Sequence, residues 1–269
     1  MNKSNSSYKD KNGFIFTYED KLYRCILPSA KDDYELLMSS GLYECLATKG
    51  LLIPHKEITS LKLYDNAYKI IQPDFIPFIS YPYEWSFATI KAAALLTLNI
   101  NLKALEYGMI LKDATPLNIQ FCEGKLIFID TLSFEKYQQD KPWIAYRQFC
   151  ESFLLPLLLL KYYPATKASS WYGNADTVSI NNAEVLPLKS KFNLAAFLHI
   201  HLQSKSGKTG TSTEQRKISK SQLINLLKGL YDSIGKLKLI PKNINWSAYY
   251  QKDHSENYYT EKRNILNHS

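Results

Sequence analysis

The chain has 269 residues, of which 45% are hydrophobic and 22% charged, so it can bury a substantial core and its composition excludes general disorder. Its formal net charge of +8 favours anionic partners such as nucleotide phosphates, but the cations are scattered and a nucleic-acid-binding role rests on that charge alone. Four widely spaced cysteines without a CxxC pair argue against a structural zinc site or a dense disulfide framework.

The first eighty residues predict a small, β-rich region crossed by one helix. Four segments have strand patterns: 13–18, 22–27, 57–63 and 68–71. The first two are separated by a short polar turn and predict a hairpin. Apolar side chains at helical spacing over 32–49 predict a helix that ends at Gly50. A connector rich in proline follows over 73–82.

From Ser86 onward the strand patterns give way to a helical pattern. Ser86 can cap a long amphipathic helix over 87–107, and Gly108 ends it. A second hairpin is expected from strands at 119–122 and 125–129, since Gly124 lies in the turn between them. Three later segments are expected to be helical: 143–163, 185–203 and 217–237.

The segment between the long helix and the second hairpin contains the candidate catalytic and metal-binding residues. It reads Leu111-Lys-Asp-Ala-Thr-Pro-Leu-Asn118, and the hairpin after it ends in four apolar positions followed by Asp130. Phosphotransferases of the protein-kinase type use an aspartate, an amide five residues later and a second aspartate after a hairpin as the catalytic base and the metal ligands. Asp113 is therefore the candidate base, and Asn118 and Asp130 are candidate ligands of Mg²⁺.

Lys112, directly before the candidate base, could neutralise phosphate charge in a catalytic role. An Asp and an Asn five residues apart also occur by chance, and Asp113 could instead cap a turn at Pro116. The ordered set of helix, Lys-Asp, Asn, hairpin and Asp favours the nucleotide site.

The region before the connector contains two candidate nucleotide contacts. A kinase-type small lobe carries a basic residue on a strand and a glutamate on the next helix that pairs with it. Arg24 lies on the second predicted strand, and Glu35 or Glu44 on the next helix could pair with it. Gly13 stands alone, so no glycine-rich GxGxxG loop is present. A simple surface ion pair would explain Arg24 equally well.

These elements together predict an α+β, protein-kinase-like two-lobed fold. Its small β-rich N-lobe would comprise residues 1–80, and its larger helical C-lobe, with the catalytic-type loop, residues 81–240. Residues 241–269 are polar and aromatic and are expected to form a tail or the start of a following domain.

Four collinear blocks of the sequence resemble the N-terminal region of bacterial proteins labelled SAM-dependent methyltransferases, relatives of nodulation-type methyltransferases. The blocks are residues 81–87, 111–121, 128–135 and 145–150. The resemblance implies a kinase-like N-terminal module, matched at Asp113, Asn118 and Asp130, with a methyltransferase domain or partner beside it. No acidic strand followed by Gly-x-Gly is present, so methyl transfer is not expected of this chain itself.

The expected function is therefore an ATP- and Mg²⁺-dependent phosphotransferase acting on a small molecule or a glycan. The alternative is a catalytically inactive, kinase-like binding or regulatory module associated with a SAM-dependent methyltransferase. A polar N-terminus and the absence of long apolar runs predict a cytoplasmic protein without a membrane span, and a nucleic-acid partner is not expected.

Overall fold

The computed structural model describes residues 2–3, 10–59, 64–164, 167–168, 177–193, 196–201, 217–239, 258, 260–261 and 263–264. The chain divides into two compact units, Met1–Leu237 and Lys238–Ser269. All the residues of the candidate site belong to the first unit. Most of the tail predicted over 241–269 lies outside the described residues.

The first unit begins with an antiparallel sheet in the order β1-β2-β3-β5-β4. Its strands are β1 (Asn2–Lys3), β2 (Gly13–Tyr18), β3 (Lys21–Ile26), β4 (His55–Glu57) and β5 (Lys69–Pro73). The predicted β2–β3 hairpin is confirmed, and its two turn residues, Glu19 and Asp20, both have positive φ, as a tight hairpin requires. The strand predicted at 57–63 lies earlier, and residues 60–63 are outside the described part.

The two faces of this sheet pack against different groups. Phe14 and Phe16 lie opposite Cys25 and Tyr23 and form a small cluster on one face. Alternation along β3 places Arg24 on the other face together with Ile26, which packs against Leu132. Arg24 therefore projects on the side of the sheet where the loop after Asp130 lies.

The single helix predicted over 32–49 is wrong, because two helices form: α1 (Lys31–Ser39) and α2 (Leu42–Thr48). Gly41 lies between them with a φ of 84°, a left-handed conformation that stops a helix and that glycine adopts at little cost. Apolar side chains of both pieces fit the spacing of one helix, since Met38, Leu42 and Leu46 follow one another at intervals of four residues, so the apolar pattern alone did not reveal the break.

The helix predicted over 87–107 is confirmed as α3 (Phe87–Glu106). The Ser86 hydroxyl oxygen accepts a hydrogen bond from the Thr89 N–H, and Gly108 ends the helix with a φ of 75°. Four short strands follow: β6 (Met109–Leu111), β7 (Ile119–Cys122), β8 (Lys125–Phe128) and β9 (Phe134–Lys136). The predicted β7–β8 hairpin is confirmed, and β6 pairs antiparallel with β9, a pairing that the sequence did not predict.

The helical region expected over 143–163 is confirmed from Tyr146 onward. It consists of α4 (Tyr146–Phe149), a π-helical segment (Cys150–Leu154) and α5 (Leu155–Tyr162). Pro156, which lacks an N–H, lies two residues after the π-helical segment. The last predicted helix is confirmed as α6 (Lys220–Gly235), capped by Ser219.

The helix predicted over 185–203 is wrong as a continuous element. Short 3₁₀ turns at Ile180–Val185 and Leu188–Phe192 precede a π-helical turn at Phe197–His201. Pro187 separates the two 3₁₀ turns, since proline lacks the N–H that a continuing helix needs.

The main core joins the helices of this unit into one cluster. It includes Leu46 of α2, Leu98 of α3, Phe153 of the π-helical segment and Leu227 of α6, all fully buried. The structure has mixed α and β composition with a small antiparallel sheet, which agrees with the α+β class. In the described part of the chain, no helix has both the length and the apolar character needed to cross a bilayer.

Candidate functional site

The loop over residues 112–118 is joined at both ends to the segment over 129–133. The Lys112 N–H donates to the Ser133 carbonyl at 2.8 Å, and the Ile129 N–H donates to the Asn118 carbonyl, also at 2.8 Å. The first bond continues the β6–β9 pairing, and the second extends the β7–β8 pairing. The loop with Asp113 and Asn118 therefore lies along the segment that contains Asp130.

The strand that leads into this loop is held from both sides. The Leu111 N–H donates to the Asn101 Oδ1 of α3 at 2.9 Å, and the Leu111 carbonyl accepts from the Trp143 Nε1 at 2.6 Å. Asn101 and Trp143 are both buried, so these bonds are protected from water. The backbone position of the loop is thus fixed one residue before Lys112.

The Ser133 hydroxyl connects the two candidate metal ligands. The Asn118 Nδ2 donates to the Ser133 Oγ at 3.0 Å, and this hydroxyl donates to the Asp130 Oδ2 at 2.5 Å. The Leu132 N–H donates to the Asp130 Oδ1 at 3.1 Å. The structure therefore brings Asn118 and Asp130 together, as the sequence predicted. It also adds Ser133, whose only sequence signal is its place three residues after Asp130 in a turn.

Arg24 reaches the same carboxylate from the sheet. Its Nη1 forms a hydrogen-bonded ion pair with the Asp130 Oδ1, and its Nη2 donates to the Asp10 Oδ2 at 2.9 Å. The Arg24 Nε is buried and has no partner among the described residues. Side-chain exposure is only 14% for Arg24 and 18% for Asp130, so this pair is well shielded and more than a surface contact. The sequence did not predict Asp10 as a residue of this site.

Arg24 pairs with neither Glu35 nor Glu44, the two glutamates that the sequence offered as its partner. The Glu35 carboxylate accepts from the Tyr68 hydroxyl and lies 3.3 Å from the Lys69 Nζ, so it belongs to a group of side chains around β5. The hydrogen bond from the Tyr68 hydroxyl lowers the pKa of Glu35, and the nearby Lys69 ammonium adds to this effect. The structure therefore places Glu35 with Lys69, while Arg24 is directed at Asp130.

The residue of α1 that contacts the loop region is Asp33. Its Oδ1 accepts from the Lys136 N–H of β9 at 3.0 Å, and its Oδ2 lies 3.5 Å from the Lys112 Nζ. Lys112 is thus engaged with a carboxylate from the first helix. The consequence is a link between α1, β9 and the residue before the candidate base.

Asp113 is oriented by Gln148 of α4. The Gln148 Nε2 donates to the Asp113 Oδ1 at 2.6 Å, and the Gln148 Oε1 accepts from the Ala114 N–H at 2.8 Å. The turn at Pro116 is capped by Thr115, whose hydroxyl oxygen accepts from the Leu117 N–H. The alternative in which Asp113 caps that turn is therefore wrong.

The donor set suits a magnesium ion that also binds phosphates. In the described residues, no group of three or more His, Cys, Asp or Glu side chains converges as a self-contained metal site. Asp130 and Asn118 instead offer a carboxylate and a carboxamide oxygen close together. Mg²⁺ is commonly bound by one or two protein oxygens together with substrate phosphates, and these two residues fit that pattern.

No family model matches the chain. Over 256 residues it is 32% identical to the nodulation protein NoeA of Rhizobium meliloti (strain 1021), an alignment that covers 90% of this chain and 53% of NoeA. The similarity supports the nodulation-type relative that the sequence blocks suggested. The chain spans about half the length of this curated relative, which leaves room in NoeA for a further domain.

Proposed function

We propose that the chain is a kinase-like phosphotransferase that uses ATP and Mg²⁺ on a small molecule or a glycan. The observation that carries this proposal is the meeting of two parts of the fold at one carboxylate. Arg24 reaches Asp130 from the sheet, and Asn118 reaches it through Ser133 from the loop after β6. A strand cation, an amide and a carboxylate are the groups that a nucleotide–magnesium site needs.

The order of elements supports a protein-kinase-like two-lobed fold. An antiparallel sheet with α1 after β3 is followed by α3, β6, the loop with Asp113, the β7–β8 hairpin, Asp130 and β9. We assign the sheet region to the small lobe and the helices from α3 onward to the large lobe. A shared fold alone does not establish an activity, so the proposal rests on the side chains at the loop.

Each side chain has a role that follows from its contacts. Asn118 and Asp130 would hold Mg²⁺, which offsets phosphate charge when it is bound with ATP. Arg24 would contact the phosphates, since a guanidinium binds their oxygens well. Asp113, oriented by Gln148, would accept the proton of the acceptor hydroxyl. A nucleotide-dependent role of this kind would be performed in the cytoplasm.

Substitution of Asp130 tests the proposal. We expect Mg²⁺–ATP to raise the melting temperature of the wild type and to have little effect on Asp130→Asn, which keeps the shape of the side chain but removes its charge. Asp140→Asn is the matched control, because Asp140 is exposed and has a φ of 59°, a conformation that asparagine tolerates. Equal responses of the wild type and Asp130→Asn would refute the proposed nucleotide site.

A second candidate function is a catalytically inactive, kinase-like binding or regulatory module that works with a SAM-dependent methyltransferase. The observation in its favour is that both Asp130 oxygens already have protein partners, Arg24 and Leu132 on Oδ1 and Ser133 on Oδ2. A metal ion would have to compete with these contacts.

Turnover distinguishes the two candidates. With labelled ATP and a panel of sugars and small alcohols, the enzyme would transfer phosphate and Asp113→Asn would transfer far less. The inactive module would bind Mg²⁺–ATP without transfer and would co-purify with a methyltransferase.

A further inference from the structure

We propose that Asp10 competes with the phosphates of a nucleotide for Arg24, and that it thereby limits how tightly the site binds. This inference rests on the proposed function and adds a residue to it. The Asp10 carboxylate already occupies one side of the Arg24 guanidinium, where Nη2 and Oδ2 are 2.9 Å apart.

The contact between Asp10 and Arg24 is held in place by the surrounding backbone. The Asp10 Oδ1 accepts from the Asn12 N–H at 2.8 Å, which orients the carboxylate. The Asn12 carbonyl accepts from the Leu27 N–H at 2.9 Å, and the Lys11 carbonyl accepts from the Ser29 hydroxyl at 2.8 Å. Residues 10–12 are therefore fixed to the chain that follows β3.

The exposure of the three side chains shows which carboxylate a ligand would meet first. Asp10 is 30% exposed, whereas Asp130 is 18% and Arg24 14% exposed. Asp10 thus lies on the more solvent-accessible side of the guanidinium, and Asp130 on the inner side. A ligand arriving from solvent would displace Asp10 more easily than Asp130.

The charges give the direction of the effect. One guanidinium and two carboxylates sum to a net charge of −1 at this point of the site. Phosphate and carboxylate oxygens bind the same N–H groups of arginine in the same geometry, so they are alternative partners. The Asp10 carboxylate also repels a nearby phosphate. Both effects oppose nucleotide binding, while Asp130 is compensated by the Mg²⁺ that accompanies the nucleotide.

Asp10→Asn removes the charge and retains an oxygen that can accept from the Asn12 N–H. We expect this variant to bind Mg²⁺–ADP about two- to fivefold more tightly than the wild type in calorimetric titration, a size typical of losing one partly exposed charge contact. Asp20→Asn is the matched control, because Asp20 is exposed in the β2–β3 turn. The affinity of this variant for Mg²⁺–ADP should equal that of the wild type. Asp10→Ser serves as a second variant if Asp10→Asn does not fold.

A second probe separates this inference from the proposed function. Pyrophosphate in the presence of EDTA tests the anion-binding side of Arg24 without nucleotide or metal, and Asp10→Asn should bind it more tightly as well. If only pyrophosphate binding tightens and no protein binds Mg²⁺–ADP, the proposed function fails and the competition by Asp10 stands. Unchanged or weaker binding of both probes in Asp10→Asn would overturn the inference, as would the same gain in Asp20→Asn.

Discussion

Asp130 receives hydrogen bonds from parts of the chain that are far apart in sequence. Arg24 comes from β3, Ser133 from the turn that follows, and Asn118 joins through the Ser133 hydroxyl. Removing the Asp130 carboxylate would leave a largely buried guanidinium with Asp10 as its remaining ion-pair partner. We therefore expect Asp130 substitutions to affect stability as well as ligand binding, which is why the conservative Asn variant is the informative one.

His55 gives a second consequence at the residue scale. Its Nε2 lies 3.0 Å from the Tyr34 hydroxyl, which donates to Glu57, and its Nδ1 is buried without a partner among the described residues. The contacts assign the proton of the neutral ring to Nε2, so protonation of Nδ1 would create a buried, unpaired N–H. Burial lowers the pKa of His55 to about 4.

Lower pH should therefore destabilise the protein through His55. Between pH 6.5 and about 4 the unfolded chain binds a proton at this histidine and the folded chain does not, so the free energy of unfolding falls as the pH is lowered. We expect the wild type to lose about 2 kcal/mol more than His55→Gln between pH 7 and pH 5. Urea unfolding at both pH values measures the difference.

His199 also has a low pKa and also makes the free energy of unfolding fall at lower pH. It is present in both proteins, so its contribution cancels when the wild type is compared with His55→Gln. The same pH-dependent loss in the wild type and in His55→Gln would contradict the role assigned to His55.

At the scale of elements, β2 and β3 approach the Asp130 turn closely, and Gly13 is where that approach is tightest. A Cβ added at Gly13 would lie 2.4 Å from the Cys25 carbonyl oxygen and 2.9 Å from the Leu132 Cδ1. Cys25 follows Arg24 on β3, and Leu132 follows Asp130 by two residues. Gly13 therefore permits the close packing of β2 against the Cys25 backbone and the Leu132 side chain.

Two glycine substitutions should have opposite effects on stability. Gly13→Ala should destabilise the protein by about 1–3 kcal/mol, because the Cys25 carbonyl belongs to the sheet backbone and cannot move freely. Gly229→Ala should stabilise it by about 0.5–1 kcal/mol, since Gly229 is exposed within α6 and an added Cβ would meet no described atom within 4 Å. Thermal unfolding of both variants checks the signs, and a neutral Gly13→Ala would contradict the close approach.

At the scale of the whole molecule, α1 and α2 share one core with the later helices. Leu37 and Leu46 belong to the same buried cluster as Leu98, Phe153 and Leu227. The ion pairs Arg24–Asp130 and Lys112–Asp33 also join β3 and α1 to later parts of the chain. We infer that the sheet region and the helical region unfold together rather than as independent parts.

Leu46→Ala tests this cooperativity. The change should lower the free energy of unfolding by about 2–5 kcal/mol, because Leu46 is fully buried, whereas Leu22→Ala, at a position 37% exposed, should cost far less. Urea unfolding followed by circular dichroism and by tryptophan fluorescence should shift equally in Leu46→Ala. A shift in one signal alone would show that the regions unfold separately.

The sequence predicted those elements whose signals are local. The β2–β3 and β7–β8 hairpins and the capped helix α3 were predicted because turn residues, caps and apolar periods mark them directly. The pairing of β6 with β9 and the break at Gly41 were missed. Strands of three residues carry little pattern, and the apolar side chains of α1 and α2 fit one helical period.

The sequence by itself determined which residue types stand at the candidate site, since the spacing of Asp113, Asn118 and Asp130 is a property of one continuous segment. Only the tertiary structure decided their partners. Ser133, Gln148 and Asp10 join the site through contacts between separate segments, and Glu35 is excluded from it because Lys69 and Tyr68 bind its carboxylate. Side-chain partners depend on how strands and helices pack, and that packing is set by the shared core rather than by spacing along the chain.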